Sequence, residues 1–151
     1  MTYLKELMNN MVVWIAILSW AVAQIIKVVI ELFRTKKINV SLFVGSGGMP
    51  SSHTSFVTAM TTAIGLKEGF DSTLFAISII ISLVVMYDAA GVRRAAGKQA
   101  AVLNTLIRNF ETQGLKIDAR LKELLGHSPV EVAAGALLGI AIAVFFTFVI
   151  K

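Results

Sequence analysis

The sequence predicts an all-α integral membrane bundle, with about four transmembrane helices and one or two interfacial helices. Three observations carry that reading. The 151 residues are 56% hydrophobic with a mean hydropathy of +0.78, too apolar for a water-soluble domain of this length. Met11 to Ile30 reads MVVWIAILSWAVAQIIKVVI and holds a single amide and a single lysine, enough apolar chain to cross a hydrocarbon core. Further apolar runs follow, separated by polar and mostly basic connections.

The first span is expected over 11–33. An N-terminal apolar run can be a cleavable signal, but this one has no short basic n-region and no clear small-residue cleavage site, so it reads as a retained helix. Arg34 to Pro50 contains Lys36, Lys37, Gly45, Gly47 and Gly48 and cannot remain helical throughout, which makes it a loop at an interface. The second span, 51–67, is short and threonine-rich and suits a helix packed inside a bundle. The third, 72–88, carries FAISIIISLVVM; its β-branched residues would favour a strand in water, but an isolated strand in lipid leaves its backbone groups unpaired, so the helix wins. Region 93–126 opens with Ala100, Leu103, Leu106, Ile107 and Phe110 at helical spacing among polar residues, the pattern of an amphipathic interfacial helix. A looser stretch with Gly114, Asp118, Arg120 and Lys122 leads to the last span, 129–150, in which Gly135 and Gly139 permit close helix contact. All of this reads as one membrane domain.

A hairpin of the second and third spans, with its tip at Lys67 to Asp71, leaves Arg34 to His53 and Asp88 to Glu131 together on the opposite face. That face holds most of the positive charge. The net charge of +5 arises from 14 Lys and Arg against 9 Asp and Glu; in a multi-pass protein of the cell membrane it reflects topology and contact with anionic lipid, and nucleic acid is not an expected partner. The positive-inside rule favours the cytoplasmic side, although residues kept to bind phosphate would bias the count on either side. There are no cysteines, so thiolate nucleophiles, thiolate metal sites and disulfides are excluded.

Three groups of residues could carry chemistry. Ser51, Ser52 and His53 open a helix after the glycine cluster, where N–H groups, hydroxyls and the helix dipole attract an anion and an imidazole can donate a proton; the plainer reading is an N-cap beside an incidental histidine. His127 stands four residues before Glu131 at the start of the last span, so the carboxylate can fix one tautomer and leave the other ring nitrogen free to attack phosphorus. Ser128 to Glu131 is equally a capping box with Pro129 in the first turn, and both can hold together. Lys27, Arg34, Arg93, Arg94 and Lys98 form a cation set able to bind phosphate, although interfacial snorkelling explains any one of them. Asp88 would pair with and orient one of these cations, with Gln99 alongside in a supporting place.

These residues resemble a known family. Lys27 and Arg34 have its Lys-x6-Arg spacing, Pro50-Ser51-Ser52-His53 is similar to its Pro-Ser-Gly-His, and the run from His127 through Glu131 to Gly135 is similar to its final His-x3-Asp element. In that order these are motifs of the type 2 phosphatidic acid phosphatase superfamily, which includes vanadium-dependent haloperoxidases. Gly47 to His53, and Tyr87-Asp88 with Gly91, Arg93, Gly97, Gln99 and Asn104, look closest to its divergent branch. The resemblance implies a metal-independent phosphatase, without cofactor, acting on a lipid phosphate or polyprenyl diphosphate. It implies His127 as nucleophile, Glu131 as its orienting partner, His53 as acid, and Lys27, Arg34, Ser51, Ser52, Arg93 and Arg94 around the phosphate. Thr35, Ser52 and Glu131 replace the usual proline, glycine and aspartate, and Leu121 replaces the third-motif arginine, with Arg120 one place out of register and Arg93 the preferred substitute. The familiar membrane members have more spans, which a homodimer or an altered bundle would accommodate. A noncatalytic lipid-headgroup-binding protein or a lipid transporter retaining the fold is the competing reading.

Overall fold

The computed structural model describes residues 2–36, 48–112, 121 and 126–149. Residues 37–47 of the glycine-rich connection, and Gly114, Asp118, Arg120 and Lys122 of the later stretch, lie outside the described residues. A short helix that the apolar pattern did not announce, α1 (Thr2–Met8), precedes α2 (Met11–Thr35), whose N-cap Asn10 accepts the Val12 and Val13 N–H groups and whose end turns at Lys36 with φ 55°. Next come α3 (Ser52–Glu68), capped by Ser51, and α4 (Thr73–Ala90), capped by Ser72. The amphipathic α5 (Val92–Thr112) follows directly, and α6 (Pro129–Val149) closes the chain. Oxygen-bearing side chains at these starts satisfy N–H groups that have no partner within the helix.

Among the described residues, three helices are long and apolar enough to cross a membrane: Met11–Thr35, the one that begins at Thr73, and Pro129–Val149. The fourth expected span, α3, is only 17 residues. As its threonine-rich sequence suggests, it packs inside the bundle, against α2, α4 and α6. Nine of its residues are buried, against three each for α4 and α6. Ile80, Val84, Leu137 and Phe148 on those outer helices are all more than 60% exposed, a surface that lipid covers and water would not.

Because α3 is rich in serine and threonine, its burial requires every hydroxyl to find a partner. The Ser19 and Ser55 hydroxyls lie 2.6 Å apart, and Thr58 donates to the Thr54 carbonyl at 2.7 Å. Thr61 and Ser82 hydroxyls are 2.7 Å apart, and Ser82 also bonds the Val57 carbonyl at 3.0 Å. The α3–α6 contact is tighter still. A Cβ at Gly135 would strike the Ser51 carbonyl oxygen, and one at Gly139 would strike the Ser55 carbonyl and the Thr58 hydroxyl. Both glycines are therefore sites of backbone contact between helices.

Gly139→Ala should consequently lower the unfolding free energy by about 1–3 kcal/mol, the usual cost of overpacking, whereas Leu137→Ala on the lipid face should change it far less. Thermal unfolding in detergent, followed by far-UV circular dichroism, compares the two.

Candidate functional site

At the start of α6 the Ser128 hydroxyl accepts the Glu131 N–H at 3.3 Å, while Glu131 Oε2 accepts the Ser128 N–H at 3.0 Å. This is a reciprocal capping box. The same Oε2 lies 3.0 Å from His127 Nδ1. A carboxylate only accepts, so Nδ1 carries the proton and Nε2 of the neutral ring has a bare lone pair. His127 is 2% exposed, and its Nε2 has no hydrogen-bond partner among the described residues. One carboxylate thus caps the helix and sets the tautomer.

The segment carrying His127 is pinned from below. Its N–H donates to the Ala89 carbonyl, near the end of α4, at 2.9 Å. Gly126 has φ 86°, and a Cβ there would collide with the backbone of Arg93 and Arg94. Only glycine fits this turn and this approach together.

The start of α3 comes to the same place because the Ser51 N–H donates to the Glu131 carbonyl at 2.9 Å. Lys27, from the later half of α2, is 3% exposed and donates from Nζ to the Ser52 hydroxyl at 3.0 Å. His53, one residue further along α3, has its ring centroid 6.3 Å from that of His127, at an interplanar angle of 59°. His53, Val85, Asp88, Ala89, Arg93, Gly126 and His127 line one pocket.

In the wall of that pocket Arg93 Nε donates to Asp88 Oδ2 at 2.6 Å, with both side chains well exposed. A pair so open to solvent adds little stability, about 0–1 kcal/mol. Its effect is to orient the guanidinium. Burial pushes the His127 pKa below the ordinary histidine value, and the positive charges of Lys27 and Arg93 push the same way against the hydrogen bond and charge of Glu131. His127 is accordingly neutral at pH 7.

Of the residues singled out in the sequence, His53, His127, Glu131, Ser51, Ser52, Lys27, Asp88 and Arg93 meet at this end of the bundle. Arg34 stands exposed in the last turn of α2 and does not line the pocket. Arg94 is exposed too, and it is its backbone that packs near the site, on Gly126. Lys98 and Gln99 line a separate groove on α5 with Val102 and Leu103. Val85, Ala89 and Gly126 are pocket residues that the sequence reading passed over. Gly126, immediately before the histidine, was the one with a visible signal.

A model described as the Divergent PAP2 family, PAP2 denoting type 2 phosphatidic acid phosphatase, matches residues 8–142. An uncharacterized membrane protein of Bacillus subtilis (strain 168), YuiD, is 40% identical over 154 residues, covering 95% of this chain and 98% of its own length. No solved structure matches significantly. The family match takes in every helix that contributes to the pocket, and with that relative aligned along nearly its whole length, the chain is a membrane protein that belongs to the Divergent PAP2 family.

Proposed function

We propose that the protein is a membrane lipid-phosphate or polyprenyl-diphosphate phosphatase that works through a phosphohistidine. The observation that carries this reading is the buried His127, its Nδ1 held by Glu131 and its Nε2 unpartnered among the described residues, beside His53 and Arg93 in one pocket. A nucleophilic nitrogen must be deprotonated, oriented and free, and few surface histidines meet all three conditions.

In the proposed reaction Nε2 of His127 attacks phosphorus and the bond from phosphorus to the lipid oxygen breaks. His53 gives that oxygen a proton, and the phosphoryl group stays on His127. Water then attacks phosphorus, passing its proton to His53, and inorganic phosphate leaves as His127 is restored. Two imidazoles whose centroids are 6.3 Å apart can flank a single tetrahedral phosphoryl group, as attack and departure on opposite sides require. Lys27, Ser52 and the terminal N–H groups of Arg93 would stabilise the equatorial oxygens, where charge collects. Ser51 would hold the start of α3 in register. Arg34 and Arg94 would serve, at most, as an outer field attracting the headgroup.

The pocket lies where helices end, so a headgroup can enter it while its tail stays in lipid, which favours lipid phosphates over soluble esters. Basic residues gather at this end, and the positive-inside rule favours the cytoplasmic face of the cell membrane for it, with the phosphate-binding cations contributing to the same count.

Purified wild-type protein in detergent with EDTA should release phosphate from at least one of a polyprenyl diphosphate, phosphatidic acid and phosphatidylglycerol phosphate. His127→Ala should lower the rate on the order of 10⁴-fold or more, and His53→Ala by about 10²–10⁴-fold. Equal release by wild type and His127→Ala would transfer support to a headgroup-binding or transport role. The pH profile has a fixed sign as well. Since His127 acts as the neutral ring and its pKa is depressed, kcat/KM should hold through mildly acidic pH. On acidification it should fall only below the usual histidine range, where the ring protonates. Loss on acidification already at or above that range would contradict the role of His127, whereas a fall as pH rises belongs to His53, which must be protonated to serve the leaving oxygen.

A further inference from the structure

We infer that α5 docks its apolar face on an anionic lipid surface, and that this docking holds the His127 segment against α4. From Val92 to Phe110 there are four basic residues and no acidic one. Val92, Leu103, Leu106 and Phe110 fall on one helical face, and each is 46–59% exposed. Gly97, Ala100 and Asn104 lie on an adjacent stripe and are buried, so the exposed apolar face is not the one used for internal packing. Arg94, Lys98 and Arg108 project from the opposite side. An apolar face backed by cations, directly continuous with an apolar helix that ends at Ala90, fits the boundary between acyl chains and negatively charged headgroups.

The coupling to the pocket rests on two contacts of α5, at Leu121 and at Gly126. Asn104 donates from Nδ2 to the Leu121 carbonyl at 2.7 Å and accepts the Leu121 N–H at 2.9 Å, so both ends of one amide grip the backbone. Five residues on, Gly126 rests on the backbone of Arg93 and Arg94 at the start of α5. Arg93 itself lines the pocket. A helix fixed to the lipid surface therefore fixes both a pocket cation and two anchor points of the segment that presents the histidine.

The absence of native cysteine permits a direct test. Leu106→Cys and Thr105→Cys, each carrying a nitroxide label, are placed in nanodiscs of phosphatidylcholine alone or mixed equally with phosphatidylglycerol. The label at 106 should be reached by oxygen and shielded from a water-soluble nickel chelate, with the reverse at 105. Burial at 106 should deepen several-fold by that ratio in the anionic discs, and Lys98→Gln with Arg108→Gln should abolish the difference. Water exposure at both positions, depth indifferent to headgroup charge, or shielding of both labels by a second copy of the chain would each overturn docking on anionic lipid. The coupling rests on the phosphatase reading: wild type should hydrolyse substrate several-fold faster in anionic discs, with the gain lost in the double variant. Equal rates despite anionic docking would overturn the coupling. No hydrolysis in any disc would count against the phosphatase reading itself and leave the label result standing.

Discussion

The approach of α6 to α3 is limited by backbone atoms. Gly135 and Gly139 face the carbonyls of Ser51 and Ser55, and with no side chain between them the two helices close until main chain meets main chain. At that distance the Ser51 N–H reaches the Glu131 carbonyl, which sets the start of one helix beside the start of the other. Two ends with positive dipoles facing one small volume would ordinarily repel. Here the Glu131 carboxylate, in the first turn of α6, offsets the field, while Ser51 and Ser128 occupy free N–H groups. An anion entering the pocket would therefore be met by the charges of Lys27 and Arg93.

The site is consequently built more from helix ends than from loops. α2 supplies Lys27, α3 supplies Ser52 and His53, the exit of α4 supplies Asp88 and Ala89, and the entry of α6 supplies His127 and Glu131. All of these but His127 lie in regular elements, and His127 is tied to two of them through the Ala89 carbonyl and Glu131, so the side chains inherit the rigidity of the bundle. Glu131 is the economical part, since a single oxygen receives a backbone N–H and an imidazole N–H. The capping and catalytic readings of that motif are two descriptions of the same atom.

The helical class and the placement of the apolar helices were legible because composition and periodicity report directly on lipid and on burial. The pairing of His127 with Glu131 was legible for a similar reason: a spacing of four on one chain leaves little freedom. What could not be read was long-range. The interior place of α3 was legible in its short, threonine-rich sequence, but the particular partners of its hydroxyls on α2 and α4 were not, since no local pattern encodes them. Ala89 enters the site through a carbonyl, invisible in residue type. Arg34 carried a motif spacing yet stands clear of the pocket, and Lys98 and Gln99 share a helix with Arg93 but face elsewhere, because facing depends on a rotation that charge alone does not specify.

The hydroxyl ladder of α3 bears on how the molecule is made. A segment with Ser52, Thr54, Ser55, Thr58, Thr61 and Thr62 in 17 residues partitions weakly into hydrocarbon on its own. Its carbonyl and hydroxyl partners on α2 and α4 exist only once those helices are beside it. A stable place for α3 in the bilayer therefore depends on α2 and α4 being beside it. The polar groups that give the bundle its register also make the stability of each inner helix depend on its neighbours.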